Sequence, residues 1–131
     1  MADFTHLNLR GDVADMAAQG GMDGVEGRFP SKDLGLVDSA VSYQRLDPDV
    51  RQPFGHRHTS QEEVYVVVEG GGRAKVGDEI VVLRTWDALR VPGPVWRCLE
   101  AGPDGMAFVA VGAPPMDDPH AESEMEPGWW S

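Results

Sequence analysis

The sequence has few basic residues and a single cysteine. Its 131 residues include 11 Lys and Arg against 22 Asp and Glu, a formal net charge of −11. A surface of this charge repels phosphate backbones and anionic membranes, so we expect neither a nucleic-acid partner nor a membrane partner. Cys98 has no second cysteine to pair with. This is consistent with a reducing compartment, and we expect a cytoplasmic location.

Other missing features exclude further classes of protein. No apolar run is long enough to span a bilayer, and the first residues lack the basic and apolar regions of a signal peptide. Glycine-rich phosphate-binding signatures are absent, so we interpret the glycines as turn residues. We also find no helix-turn-helix segment of the kind that transcription regulators use. The length suits one domain, which would bury roughly two-thirds of its unfolded surface.

The chain does contain many short strand-like runs separated by turn residues. They cover residues 39–46, 54–58, 64–68, 73–76, 80–83, 88–91, 97–101 and 106–111. Their near-regular spacing predicts an all-β sandwich or barrel, with a glycine hairpin turn at 70–72. We divide the chain into an N-terminal arm (1–38), a barrel core (39–112) and an acidic, proline-rich tail (113–131). The arm is predicted to hold a strand over 25–29 and a helix over 13–18, capped by Asp12.

The most informative segment contains His56, His58 and Glu63, followed by an apolar strand that ends at Gly70. Side chains on a strand alternate between its faces, so the two histidines project from one face, roughly 6–7 Å apart. A histidine pair of this kind can also be a polar pair on a solvated face. With Glu63 it forms a set of two nitrogens and one oxygen, which suits zinc, iron, manganese or nickel better than calcium or magnesium.

This segment resembles the first sequence motif of the cupins. That motif reads His-x-His, four residues, Glu, six residues, Gly, and the chain matches it at His56, His58, Glu63 and Gly70. The resemblance extends over residues 39–112 and implies a jelly-roll β-barrel. It also implies that His56, His58 and Glu63 are ligands of one divalent transition metal (Fe, Mn, Ni or Zn), because the aligned residues are ligands in metal-binding cupins.

The second cupin motif is altered in this chain. Cupins usually read Gly, five residues, Pro-x-Gly, two residues, His, but here Trp86 and Pro94 replace the glycines and Arg97 replaces the last histidine, the fourth ligand. Arginine stays protonated and has no lone pair for a metal. Two outcomes remain open. Either Arg97 swings aside and the metal keeps three ligands, or its guanidinium points inward and pairs with Glu63, which disfavours metal.

Strand alternation gives candidates for a ligand-binding cavity. Phe54 and Tyr65 share the inward face with the predicted metal ligands, Trp96 is a further candidate, and Arg97 is the predicted anchor for an anionic group. If Arg97 faces inward, Cys98 faces the other way, and we interpret it as a buried, inert thiol.

Three functions are compatible with these residues. The first is a metal-dependent enzyme, such as a dioxygenase or isomerase, acting on a small polar or anionic metabolite. The second is a non-catalytic, metal-free binding protein in which Arg97 holds an anionic ligand. The third is metal-free acid/base chemistry, as in cupin-like sugar epimerases; those enzymes pair a histidine with an opposed tyrosine, and the sequence does not identify Tyr65 in that role.

Two features predict further contacts. Several strands, including 64–68, 80–83 and 106–111, are apolar on both faces, so the face outside the barrel needs a cover. Either the N-terminal segment or a second subunit supplies it. Because cupins commonly pair through such a sheet face, the resemblance implies a homodimer. The acidic tail ends in Trp129 and Trp130, and we expect these two residues to anchor it in a groove on the same or a neighbouring subunit.

Overall fold

The computed structural model describes residues 3–116 and 122–131. It is mostly β-structure with two one-turn helices, which confirms the predicted all-β class and the short N-terminal helix. The helices are α1 (Met16–Gln19) and α2 (Ser31–Leu34). The strands are β1 (Val25–Arg28), β2 (Ala40–Leu46), β3 (Phe54–His58), β4 (Glu62–Val76), β5 (Glu79–Leu83), β6 (Ala88–Val91), β7 (Arg97–Ala113) and β8 (Ser123–Pro127). No helix in the described part of the chain is long and apolar enough to cross a membrane.

Two long strands, β4 and β7, join the two halves of the fold. The C-terminal part of β7 pairs with β2 and with the N-terminal part of β4, so one layer has the order β1-β2-β7-β4-β6. The N-terminal part of β7 pairs with β3 and with the C-terminal part of β4, which gives a second layer, β8-β3-β7-β4-β5. All pairs are antiparallel. The result is the predicted jelly-roll barrel.

The predicted hairpin turn at residues 70–72 is wrong. Strand β4 runs through these glycines, with register shifts against β7 on either side of Gly70. The backbones approach so closely that a Cβ on Gly70 would lie 2.1 Å from the carbonyl oxygen of Gly105, and one on Gly72 would lie 2.0 Å from that of Glu100. The glycines therefore let two paired, bent strands approach each other closely. In the sequence, a glycine run with this role looks the same as a turn signal.

The N-terminal helix begins later than predicted. Its cap is Asp15, whose carboxylate accepts hydrogen bonds from the backbone N–H groups of Ala17 and Ala18 at 3.1 and 3.2 Å, and from that of Gly27 at 2.9 Å. Asp12 instead accepts a hydrogen bond from the backbone of Asn8. Asp15 thus caps the helix and ties it to β1, a contact across the chain that local pattern does not reveal.

The core lies between the two layers and is lined by inward-facing strand residues. Its buried members are Leu46, Tyr65, Val67, Ala74, Leu83, Val91, Leu99, Ala101, Met106, Phe108 and Ala110. Outside the first layer, the neighbouring strands β2, β4 and β7 carry partly exposed valines at matching registers, namely Val41, Val64, Val66, Val109 and Val111. This valine face includes outward-facing residues of two of the strands predicted to be apolar on both faces, 64–68 and 106–111. The third, 80–83, lies in the second layer, where Ile80 and Val82 are exposed.

The end of the chain adds an edge strand, β8, to the second layer and then packs on the outer face of that layer. Strand β8 pairs with β3 from Phe54 opposite Pro127 to His58 opposite Ser123, so the sheet extends beyond the predicted core of 39–112. After β8, the Trp129 ring stacks on Trp96 with ring centroids 6.1 Å apart. The Trp130 ring lies under the guanidinium of Arg51, whose Cζ is 4.2 Å from the ring centroid, so both final tryptophans contact their own chain. Residues 117–121 of the predicted tail lie outside the described residues.

Candidate metal centre

Three side chains from two strands converge inside the barrel. His56 and His58 project from one face of β3, and Glu63 stands near the start of β4, which is not paired with β3. One ligand atom from each of the three lies within 4.8 Å of the other two. Nε2 of His58 is 2.8 Å from Oε1 of Glu63, and Nε2 of His56 is 3.3 Å from the same oxygen. The structure therefore brings the three predicted ligands together.

The protonation states of the cluster depend on these contacts. Burial alone would raise the pKa of the Glu63 carboxyl, but hydrogen bonds and charge from His56 and His58 lower it well below its ordinary range. Burial lowers the pKa of His56, and the nearby Arg97 charge adds to this effect, while Glu63 opposes it. Glu63 is thus an anion, the form in which a carboxylate binds a metal.

Tyr65 belongs to the same cluster. Its hydroxyl donates a hydrogen bond of 2.9 Å to Oε1 of Glu63 and lies 3.4 Å from Nε2 of His56. Burial raises the pKa of Tyr65 well above its ordinary value, so the phenol keeps its proton and acts as a donor. The ring packs edge-on against Phe108, with centroids 5.8 Å apart. Tyr65 therefore helps to orient the Glu63 carboxylate.

Arg97 points into the barrel. It is opposite His56 in the register of β3 and β7, and its side chain is fully buried. Its guanidinium donates to the backbone oxygens of Gly93 at 3.1 Å and Val91 at 3.4 Å, while Nη2 is 3.8 Å from Oε1 of Glu63. Of the two alternatives, Arg97 has not swung aside. It contacts Glu63 only at ion-pair distance, because backbone carbonyls take its close hydrogen bonds.

The remaining candidates occupy different places. Trp96 stacks on Trp129 and lies under the guanidinium of Arg57, whose Cζ is 4.9 Å from the ring centroid. Arg57 stands between His56 and His58 on β3, so Trp96 is on the opposite face of the sheet and is not part of the cluster. Phe54 follows the inward alternation of β3 and is half-buried.

Cys98 takes no part in the site. It follows Arg97 on β7 and faces the other side of the sheet, where it is 1% exposed. Burial raises the pKa of the thiol to about 11, so it is protonated at neutral pH. Its burial agrees with the buried thiol that the sequence predicts.

One residue of the site is missed by sequence reasoning. Nδ1 of His58 lies 2.9 Å from the hydroxyl of Ser123, the first residue of β8. The sequence around Ser123 reads as an acidic tail, and no motif marks it. The contact depends on β8 pairing with β3, which only the fold reveals.

The donor set fits a transition metal. Two imidazole nitrogens and a carboxylate oxygen form a combination that iron, zinc and related ions accept. The side chains of His56, His58 and Glu63 are 17%, 6% and 13% exposed, so the site is enclosed but not sealed. Arg97 contributes no ligand, so a metal held here keeps coordination positions for water or substrate.

No protein-family model matches the chain, and no curated protein matches it. Solved structures do resemble it. A cupin protein from Bacteroides fragilis is 21% identical with a TM-score of 0.72, over 90% of each chain. KdgF from Halomonas sp. is 18% identical with a TM-score of 0.69, over 90% of this chain and 98% of its own.

A larger enzyme also contains this fold. Salicylate 1,2-dioxygenase from Pseudaminobacter salicylatoxidans is 16% identical with a TM-score of 0.70, over 85% of this chain and 34% of its own. This chain thus corresponds to about a third of that enzyme. Identities this low show a shared fold but not a shared reaction, because the reaction depends on the residues of the site. By its strand order and by these neighbours, the chain has the fold of the cupin superfamily.

Proposed function

We propose that this protein binds one divalent transition metal through His56, His58 and Glu63 and uses the centre to hold a small polar or anionic metabolite. The observation that carries the proposal is the convergence of three ligand atoms within 4.8 Å inside the barrel. The ligands are also held in place by hydrogen bonds from neighbouring side chains, and such preorganisation favours metal binding.

The chain's own residues suit dioxygenase-like or isomerase-like chemistry. A metal bound at this site would act as a Lewis acid toward a substrate oxygen at its open positions. Arg97 supplies a fixed positive charge beside the cluster and orients a carboxylate or similar anionic group. Tyr65 holds the Glu63 carboxylate in place through its hydroxyl. The dioxygenase among the structural neighbours supports this reaction class at the level of fold.

A metal titration tests the proposal. Protein stripped with chelator is titrated with Zn²⁺, Mn²⁺ and Fe²⁺ in competition with a chromophoric chelator. We expect one metal site per chain. We also expect His58→Ala to lower metal affinity by more than the roughly tenfold to hundredfold loss seen when a residue that only hydrogen-bonds a ligand is replaced. His6→Ala is the matched control, because His6 is exposed and outside the cluster. Equal affinities of the two variants would overturn the proposed ligand set.

A metal-free binding protein is the second candidate, and Arg97 favours it. The guanidinium is completely buried beside Glu63, and its Nε has no hydrogen-bond partner among the described residues. A buried donor of this kind can take an anionic ligand without a metal. Stabilisation of stripped protein by small carboxylates, abolished by Arg97→Gln but not by Arg57→Gln, would support this candidate. Metal-free acid/base catalysis is not favoured, because it needs a tyrosine hydroxyl free to act on substrate and that of Tyr65 donates to Glu63.

We also propose a homodimer formed through the valine face. Val64 and Val66 on β4 stand opposite Val111 and Val109 on β7, and Val111 is 43% exposed. Burying such a surface against a second copy is favourable. Size-exclusion chromatography with light scattering checks the mass. We expect a dimer for wild type and a monomer for Val64→Lys, with Val82→Lys, on exposed β5, as the control. A wild-type monomer at micromolar concentration would contradict the proposal.

A further inference from the structure

Ser123, the first residue of β8, contacts the proposed metal ligand His58 at Nδ1, the ring nitrogen that faces away from Glu63. Ser123 is the register partner of His58, and its hydroxyl lies 2.9 Å from Nδ1 of that ring. The same hydroxyl donates to Sδ of Met116 at 3.3 Å. Nε2, on the other side of the ring, faces Oε1 of Glu63 at 2.8 Å. Ser123 and Glu63 therefore hold the imidazole from both sides.

A hydroxyl is well suited to this position. It has one proton to donate and lone pairs to accept, so it can pair with either tautomer of the imidazole. When it accepts from Nδ1–H, its own proton has an acceptor in the sulfur of Met116. Glu63 is an anion and can only accept, so without a metal Nε2 carries a proton toward it. A metal bound between them would displace this proton, and with Nδ1–H held by Ser123 the Nε2 lone pair would face the ion. Partners of this kind fix the tautomer and the ring orientation of metal-binding histidines.

Ser123 is itself held in place by the residues before it. The carboxylate of Glu122 accepts hydrogen bonds from the backbone N–H groups of Ser60 at 2.6 Å and Gln61 at 2.7 Å, and from the Ser60 hydroxyl at 3.0 Å. The backbone N–H of Thr59, next to His58, donates to the carbonyl of Glu122 at 2.7 Å. The start of β8 is thus fixed against the loop that follows β3.

We propose that Ser123 is a positioning residue that orients His58 and holds its Nδ1 proton, so that Nε2 is presented to a metal between His56, His58 and Glu63. This inference rests on the proposed function. It assigns the C-terminal strand a part in the site, whereas the sequence of that strand shows only an acidic tail.

Three serine variants test the proposal on the full-length protein. Ser123→Ala removes the hydroxyl, Ser123→Thr keeps one, and Ser60→Ala removes a hydroxyl that fixes the same segment without touching His58. Zn²⁺ affinity is measured by chelator competition. Nitrogen NMR of the imidazoles gives an independent signal, because the Nδ1 resonance of His58 reports its partner in metal-free protein and the Nδ1 proton reports it in zinc-loaded protein.

We expect Ser123→Ala to lower Zn²⁺ affinity at least tenfold and to shift the His58 Nδ1 resonance while that of His56 stays in place. Ser123→Thr should restore both, and Ser60→Ala should change neither. An unshifted His58 resonance, or a loss of affinity of the same size in Ser60→Ala, would overturn the proposal. If wild type binds no Zn²⁺, the proposed function fails and the inferred role toward a metal fails with it. If wild type binds Zn²⁺ and Ser123→Ala binds it equally, the inference alone fails.

Discussion

Nη2 of Arg97 lies 3.8 Å from Oε1 of Glu63, inside the barrel and beside both histidines of the cluster. The arginine occupies the position where the cupin motif has its fourth ligand. Its charge disfavours a nearby cation and attracts a nearby anion. Under the proposed function, the pair would limit how tightly a metal is held and would offer a contact for an anionic group of the metabolite.

Replacing Arg97 with histidine should strengthen metal binding. The Arg97→His side chain projects from the same register position opposite His56, so it can add a fourth nitrogen while removing the buried charge. We expect Zn²⁺ affinity to rise by well over the roughly tenfold effect of outer-sphere changes, measured by chelator competition. Arg57→His is the control, because Arg57 faces Trp96 on the outer side. Unchanged affinity in Arg97→His would mean that position 97 does not reach the ion.

Trp86 should lower the free energy of unfolding relative to glycine at the same position. It occupies the position of the first glycine of the second cupin motif, its φ is +73°, and it is 73% exposed. This backbone conformation costs a residue with a Cβ about 1–2 kcal/mol, and glycine adopts it freely. Trp86→Gly should therefore raise the free energy of unfolding by about 1 kcal/mol in urea titrations. Trp86→Ala keeps the Cβ and should give no such gain; an equal gain would refute the backbone explanation.

Trp129 should be a major anchor of the C-terminal segment. It stacks on Trp96, lies under Nζ of Lys75 at 4.6 Å, and covers Gly55, where a Cβ would be only 2.7 Å from its ring. Losing an aromatic stack and a cation–π contact should lower the free energy of unfolding by about 2 kcal/mol in Trp129→Ala.

Thermal unfolding checks this prediction, with the exposed Trp86→Ala as the control. The variant should also weaken Zn²⁺ binding if Trp129 helps to hold β8 and hence Ser123 against His58. An unchanged melting temperature would mean that the stacking contributes nothing to stability.

Glu100 should make stability depend on pH. Burial alone would raise its pKa, but hydrogen bonds from Arg73 and Arg51 outweigh burial and lower the pKa below the ordinary 4.5. A carboxylate whose pKa is lower in the folded state stabilises fully above its unfolded pKa and loses this contribution as pH falls. Glu100→Gln should therefore cost about 1–2 kcal/mol at pH 7 and less toward pH 3.

Urea titrations at several pH values measure this difference. The exposed Glu79→Gln is the control, since Glu79 is at the start of β5. A cost for Glu100→Gln that is the same at pH 7 and pH 3 would contradict the ion-pair explanation.

The sequence predicted the parts of the site that depend on local periodicity. His56 and His58 share a face because strand side chains alternate, and the spacing to Glu63 resembles a known motif. Contacts between distant segments were not predictable in this way. Ser123 reaches His58 across 65 residues, and its position depends on β8 pairing with β3. The glycines at 70–72 resemble a turn signal in the sequence, because glycine serves both turns and the close approach of paired strands.

Metal content is the most direct test of the central claim. Untagged protein is purified without chelator or added metal, and its elements are measured by plasma mass spectrometry. We expect close to one equivalent of iron, manganese, nickel or zinc per chain in wild type, and much less in His58→Ala. Metal far below one equivalent, and no higher in wild type than in the variant, would contradict the central claim and leave Arg97 beside Glu63 as the basis of a metal-free binding site.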